Sequence, residues 1–113
     1  MLAAEYCHLI LQFLPTAQVS NRSEGAVEKY TTIRTIDGRV AAAIDARPKW
    51  MKLDFPLPEQ TAKEAYAGKK INRPKPRGIS FWVLSKIPTR LSIEESKELL
   101  KQGLLFEFNE LFK

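Results

Sequence analysis

The residues of this sequence whose type and spacing best suit chemistry are five cations on one short segment. Residues 68–78 read Gly-Lys-Lys-Ile-Asn-Arg-Pro-Lys-Pro-Arg-Gly, and the cations are Lys69, Lys70, Arg73, Lys75 and Arg77. Prolines restrict the backbone of such a segment, so its cations keep their reach without the entropy cost of ordering a flexible tail. Lys and Arg side chains held in this way neutralise phosphates. The segment is therefore predicted to be a phosphate-binding loop.

Two aromatic residues, Phe81 and Trp82, lie in the strand predicted directly after this loop. Aromatic rings stack on the bases of single-stranded or distorted nucleic acid, which makes both residues candidates for stacking. Neighbouring residues of a strand point to opposite faces, so one ring is expected in the core whatever the function. The alternative is a solvated loop whose charge only maintains solubility.

Positive charge is concentrated around this loop. Residues 63–90 contain eight Lys or Arg and one acidic residue, whereas the rest of the chain has ten basic and twelve acidic residues. The formal net charge of +5 is therefore a local feature, and it favours an anionic partner. A second basic group extends the phosphate track if it shares a face with the loop, and otherwise lies at solvated strand edges. Its members are Arg34, Arg39, Arg47, Lys49 and Lys52.

The inventory of reactive residues argues against catalysis. One cysteine, Cys7, cannot form an internal disulfide, and one histidine, His8, cannot supply a multi-histidine metal cage. On a helix these neighbours diverge by about 100°, so they cannot pair as nucleophile and base. Asp45 and Asp54 resemble part of a nuclease metal site, although Asp at strand ends more often forms turns or ion pairs. We expect no enzymatic activity, no metal and no cofactor.

The first half of the chain indicates a helix followed by strands. Apolar residues recur at helical spacing over 2–14, and Pro15 ends that helix. Small and polar residues predict a loop over 16–25. Strands over 30–36 and 39–45 flank Asp37-Gly38, which indicates a hairpin. Three alanines at 41–43 indicate either a weak strand or the close approach of a neighbouring element or ligand.

The second half continues this mixture. Residues 51–57 alternate as a half-buried strand, which Pro56 and Pro58 place at a sheet edge or end near Phe55. A short helix is predicted over 59–67 with Gly68 as its stop, and 79–84 reads as a central strand. Ser92 and Glu95 form a capping box for a last helix that ends at Gly103.

The apolar segment 104–112 is predicted to be a last strand or a short helix. It is either a core element or the surface of a homodimer. Together these elements predict one small α+β domain over 1–113, with a mainly antiparallel sheet of about four strands, an N-terminal helix and a capped C-terminal helix.

The apolar stretch near the start is too short for the roughly 18–20 residues that span a bilayer, and it lacks a basic leader. We therefore expect a cytoplasmic protein without membrane contact.

The function predicted from these features is non-enzymatic binding of single-stranded or distorted nucleic acid, or of an anionic nucleotide. The alternative is a small accessory or inhibitor protein, of the kind that viruses and mobile elements encode, that docks on a protein partner or sequesters a small nucleotide. Salt separates the two, because polyanion binding weakens steeply as salt rises and an apolar protein interface does not.

Overall fold

The helices form where local sequence signals place them. The computed structural model describes residues 2–23 and 29–113. Helix α1 spans Leu2–Phe13 and buries Tyr6 and Ile10, and helix α2 spans Glu59–Ala67, with Gly68 at its end. Both helices confirm the predictions. Helix α3 spans Ile93–Glu107, and a short 3₁₀ turn at Asn109–Leu111 follows it.

The described residues form one antiparallel sheet of six strands. In chain order these are β1 (Gln18–Ser23), β2 (Lys29–Arg34), β3 (Val40–Ala46), β4 (Met51–Leu57), β5 (Lys75–Arg77) and β6 (Ser80–Ile87). Their order across the sheet is β1-β2-β3-β4-β6-β5. The α+β class is confirmed, and the prediction of about four strands was too low.

Both additional strands lie at the edges of the sheet. Strand β1 occupies most of the segment that was predicted to be a loop, and β5 occupies the end of the basic segment. An edge strand faces a partner on one side only, so it does not need the apolar alternation that identifies a half-buried strand. Pro76 is compatible with β5 because prolines in sheets occur on edge strands.

The prolines of β4 predicted either an edge position or an end near Phe55, and the edge position is wrong. Strand β4 is central, and it ends at Leu57, close to Phe55. It pairs with β6 along its whole length, from Met51 to Leu57, but with β3 only as far as Asp54. Pro56 therefore lies where one side of β4 has no partner strand, and a missing N–H group is tolerated there.

Helix α3 continues through Gly103, which corrects the prediction of a C-cap at this residue. A Cβ atom at Gly103 would lie 1.7 Å from the backbone carbonyl oxygen of Pro56. The glycine is thus required for the close approach of α3 to β4. The apolar residues after it complete the core, where Leu104 and Phe108 are buried.

The hairpin of β2 and β3 is confirmed. Gly38 has a φ of 88° in the connection, where the hydroxyl of Thr35 and the backbone of Arg39 also hydrogen-bond. The strand register shifts at Arg34, which gives β3 a bulge. Ala41 and Ala42 are fully buried in the core, and α1 packs against this strand. These contacts fit the close-approach explanation of the alanines.

The two faces of the sheet differ. The helices cover one face, where the alternate residues Leu53 and Phe55 of β4 are fully buried. The C-terminal segment joins this layer through the stacked rings of Phe13 and Phe112, whose centroids are 5.1 Å apart. The segment 104–112 was also considered as a homodimer surface. Its exposed large apolar side chains are those of Leu105 and Phe106. None of the described helices has the length and apolarity required to cross a membrane.

Candidate functional site

The face of the sheet opposite the helices carries a cleft of about 380 Å³. Every one of the six strands contributes to its lining, and none of the described lining residues belongs to a helix. The lining residues are Ser20, Tyr30, Thr32, Arg34, Val40, Ala43, Asp54, Arg77 and Trp82. The cleft thus combines two guanidinium groups, two large aromatic rings and one carboxylate on a strand scaffold.

Strand alternation explains why these side chains meet. In β2, Thr31 and Ile33 are buried, so Tyr30, Thr32 and Arg34 must face the other way. In β4 the same alternation places Asp54, between the buried Leu53 and Phe55, on the face opposite the helices. We call this face the open face.

The two aromatic residues predicted to stack are on opposite faces. Phe81 pairs with Leu57 and packs against the hydrophobic core. Trp82 pairs with Pro56 on one side and Lys75 on the other, and it lines the cleft. The ring available for stacking is therefore that of Trp82.

Arg77 and Trp82 form the best defined contact in the cleft. The guanidinium carbon of Arg77 lies 4.4 Å from the centroid of the Trp82 ring, a cation–π distance. Tyr30 provides the second ring, with 42% of its surface exposed. A planar guanidinium held on an indole ring is itself a surface on which a base can stack.

Further cations on the open face lie on β4 and β6. Lys52 and Lys86 lie directly opposite each other, an arrangement of like charges that destabilises a sheet without an anion nearby. Asp45 is the partner of Lys52 on the other side and offsets part of this repulsion. The ammonium of Lys86 also lies 5.2 Å from the centroid of the Trp50 ring.

Among residues 2–23 and 29–113, Asp54 is the only acidic residue that lines this cleft. It is half-buried, and burial raises the pKa of its carboxyl, while the charges of Lys52 and Lys75 act in the opposite direction. Its carboxylate has no hydrogen-bond or ion-pair partner among residues 2–23 and 29–113. A carboxylate in this position can accept hydrogen bonds from donor groups that enter the cleft.

The five predicted phosphate-binding cations fall into three places. Lys75 and Arg77 belong to strand β5 beside the cleft, so the segment 68–78 is a loop only in its first part. Lys70 forms an ion pair with Glu95 at the start of α3. Lys69 and Arg73 line a second cleft of about 450 Å³, together with Arg90 and Tyr66.

The second basic group is also divided. Arg34 and Lys52 share the open face with the end of the basic segment, as the prediction of an extended track requires. Arg39 instead pairs with Asp37 and Glu110. Hydrogen bonds from Arg39 and Thr35 lower the pKa of Asp37 to about 2.

Arg47 forms an ion pair with Asp45 at 3.0 Å. Lys49 is exposed in the connection before β4.

The other candidate reactive groups do not converge. Cys7 is a partly buried free thiol, and burial raises its pKa, whereas His8 is exposed. Asp45 and Asp54 lie on the same face of neighbouring strands. In the described part of the chain, no three His, Cys, Asp or Glu side chains are grouped so that they could hold a metal ion.

Sequence reasoning did not select Tyr30 as a site residue, and it considered Asp54 only as a metal ligand. Alternation over 51–55 was a usable signal for Asp54, because it separates this residue from the buried Leu53 and Phe55. Residues 30–34 do not alternate in polarity, so the exposure of Tyr30 had no such signal. The order of the strands, which brings these residues to one cleft, has no such local signal.

No protein-family model, no curated protein and no solved structure matches this chain.

Proposed function

We propose that this protein binds single-stranded nucleic acid without catalysing a reaction, and that the open face of its sheet is the binding surface. The observation that carries the proposal is the convergence of Arg34, Arg77, Tyr30 and Trp82 in one cleft formed by strands alone. Flat strand surfaces with exposed rings and cations bind single strands by stacking bases and neutralising phosphates.

Charge supports an anionic partner on this face. Among the described open-face side chains, five are basic and two are acidic: Arg34, Lys52, Lys75, Arg77 and Lys86 against Asp45 and Asp54. Phosphates placed between Lys52 and Lys86 would remove the repulsion between these two ammonium groups. The same polyanion would release condensed counterions on binding, which favours association at low salt.

A longer nucleic-acid strand could extend from the open-face cleft into the second cleft. Its cations Lys69, Arg73 and Arg90 stand beside the exposed ring of Tyr66. Residues 73–77 connect the two clefts along the sheet edge, a distance of about 13 Å for extended chain. We therefore propose that a bound strand passes over β5 from one cleft towards the other.

Lysine, arginine and proline on an edge strand also prevent the addition of further strands. The cations of β5 alone therefore do not require a ligand. Arg34, Tyr30 and Asp54 have no such role, because they lie on β2 and β4, inside the sheet. They distinguish a binding site from a protected edge.

The experiment that tests the proposal is a salt titration of oligonucleotide binding, measured by fluorescence anisotropy. The log of the affinity should fall with the log of the salt concentration, by about 0.7 for each phosphate contact to a single strand. The double variant Lys52→Gln, Lys86→Gln, which removes the two cations proposed to flank a phosphate, should therefore flatten the slope by about 1.4.

A matched control removes two cations from the helix side, in the variant Lys63→Gln, Lys101→Gln. Lys63 pairs with Glu59 on α2, and Lys101 lies over the ring of Phe13, so neither reaches the open face. This control should keep the wild-type slope.

A wild-type protein without measurable oligonucleotide affinity at about 50 mM salt would overturn the proposal. Binding of a mononucleotide with equal affinity to an oligonucleotide would instead favour the second candidate, sequestration of a small anionic nucleotide. The volume of the cleft, about 380 Å³, is in the range of small-molecule sites and supports that candidate.

A further inference from the structure

The presence of the acidic residue Asp54 in the cleft is not explained by phosphate binding. A carboxylate repels a polyanion, and a half-buried carboxylate without a partner costs stability. Yet Asp54 lies in the cleft with Arg34, Arg77 and both aromatic rings. A role in recognising the neutral part of the ligand, the base, accounts for an acid at this position.

We propose that the cleft is selective for guanine, with Asp54 accepting hydrogen bonds from the two adjacent N–H groups of the base and Arg34 donating to its O6 and N7 atoms. The inference rests on the proposed binding of nucleic acid, and it adds the base that the site prefers.

The chemistry of the four bases distinguishes guanine. Its N1–H and N2–H groups are adjacent donors that match the two oxygens of a carboxylate, and its O6 and N7 atoms are the acceptors that Arg reads most often. Adenine presents a donor beside N7, where arginine needs an acceptor. Cytosine offers one amino group beside the acceptor N3, and the single N–H of uracil is flanked by two carbonyl oxygens that repel a carboxylate.

The two arginines of the cleft have different roles in this arrangement. Arg77 lies on the Trp82 ring, so its plane provides stacking. Arg34 is exposed, and within the described parts of the chain its side chain makes one long contact, from Nη1 to the carbonyl oxygen of Gly38 at 3.5 Å. Most of its donors remain available to a base edge.

The test uses labelled uridine tracts of about eight nucleotides that carry guanosine, inosine, adenosine or uridine at one central position. Wild-type protein should bind the guanosine strand about five- to hundredfold more tightly than the uridine strand. Inosine lacks the 2-amino group and should lose much of this preference. A 7-deazaguanosine strand lacks N7 but keeps O6, so it should lose one of the two hydrogen bonds from Arg34 and bind more weakly than the guanosine strand.

The variant Asp54→Asn should bind guanosine and inosine strands with equal affinity, because the NH2 group that replaces one carboxylate oxygen is a donor and cannot accept from the N2–H group of guanine. Asp45→Asn is the matched control on the same face. Asp45 pairs with Arg47 and does not line the cleft, so this variant should keep the preference for guanosine.

Equal binding of all four strands by the wild-type protein, with a steep salt dependence, would overturn guanine selectivity and leave nucleic-acid binding intact. Absence of binding to every strand would overturn both proposals. The inosine comparison needs no variant, so the inference remains testable even if Asp54→Asn does not fold.

Discussion

The guanidinium group of Arg77 lies over the indole ring of Trp82, 4.4 Å from its centroid, and joins edge strand β5 to its neighbour β6. The contact holds a cation and a ring together at the wall of the open-face cleft. A base that stacks there meets a surface already in place, so little side-chain entropy is lost on binding.

Replacement of this ring separates binding from folding. Trp82→Ala should weaken single-strand binding by about 1–3 kcal/mol, because one stacking surface is lost. Phe81→Ala should lower the free energy of unfolding by about 2–3 kcal/mol, somewhat less than for a fully buried ring. Anisotropy and urea titrations measure the two effects. Unchanged affinity of a folded Trp82→Ala variant would exclude stacking on this residue. Trp82→Phe keeps an aromatic ring and should retain part of the wild-type affinity.

Gly103→Ala should destabilise the protein, although alanine is the better helix former. In an exposed helix interior this change gains about 1 kcal/mol. Here the new Cβ would meet the Pro56 carbonyl oxygen at 1.7 Å, so α3 must move away from β4. We expect a loss of about 1–3 kcal/mol in the free energy of unfolding, measured by denaturant titration.

The control for this variant is Gln102→Ala, at an exposed position of the same helix, which should change stability little. A Gly103→Ala protein as stable as the wild type would disprove the close packing of α3 on β4.

Ser92→Ala should cost about 1 kcal/mol of stability. The Ser92 hydroxyl oxygen accepts a hydrogen bond from the backbone N–H of Glu95 at 3.1 Å, which satisfies one free donor at the start of α3. Ser92→Asp keeps an acceptor at the cap and should restore most of the loss in a thermal unfolding assay. If alanine and aspartate have the same effect, the cap does not stabilise α3.

Asp54→Asn should raise stability at neutral pH. Burial raises the pKa of Asp54 in the folded state above its ordinary value of 3.8, so the folded protein binds the proton more tightly than the unfolded chain. Stability from this residue is therefore present at low pH and is lost as the pH rises through the folded pKa. Above that pKa, the charged carboxylate is a cost that asparagine removes.

The measurement compares the melting temperatures of wild type and Asp54→Asn at about pH 7 and about pH 3. The advantage of the variant should be present at the higher pH and shrink at the lower one. Equal melting temperatures of the two proteins at both pH values would show that the charged Asp54 carboxylate does not destabilise the fold. If Asp54→Asn is more stable but binds guanosine strands more weakly, Asp54 lowers stability in exchange for binding.

Local patterns predicted the elements that depend on neighbouring residues. Helix α2 ends at Gly68, the cap of α3 forms at Ser92, and the β2–β3 connection contains Gly38 with positive φ. Each of these depends on backbone hydrogen bonds and φ preferences that act within a few residues. For the same reason, alternation over 51–57 was enough to identify β4 as a strand.

The remaining features were decided by contacts between residues far apart in the chain. Gly103 has the residue type of a helix cap, and only the proximity of Pro56 shows that it is a packing contact inside α3. Strand β4 is central because β6 returns to its free side, although its prolines favour an edge.

The proposed binding face follows the same division between local patterns and distant contacts. The sequence by itself determined that cations cluster over 63–90 and that the rings of Phe81 and Trp82 point to opposite faces, because charge and strand alternation are local properties. Only the tertiary structure decided that Trp82 is the ring that lines the cleft, together with Arg34, Asp54 and Arg77. The physical reason is strand order: pairing β4 with β6 brings β2 and β5, distant in sequence, to one cleft, and this pairing depends on the whole core.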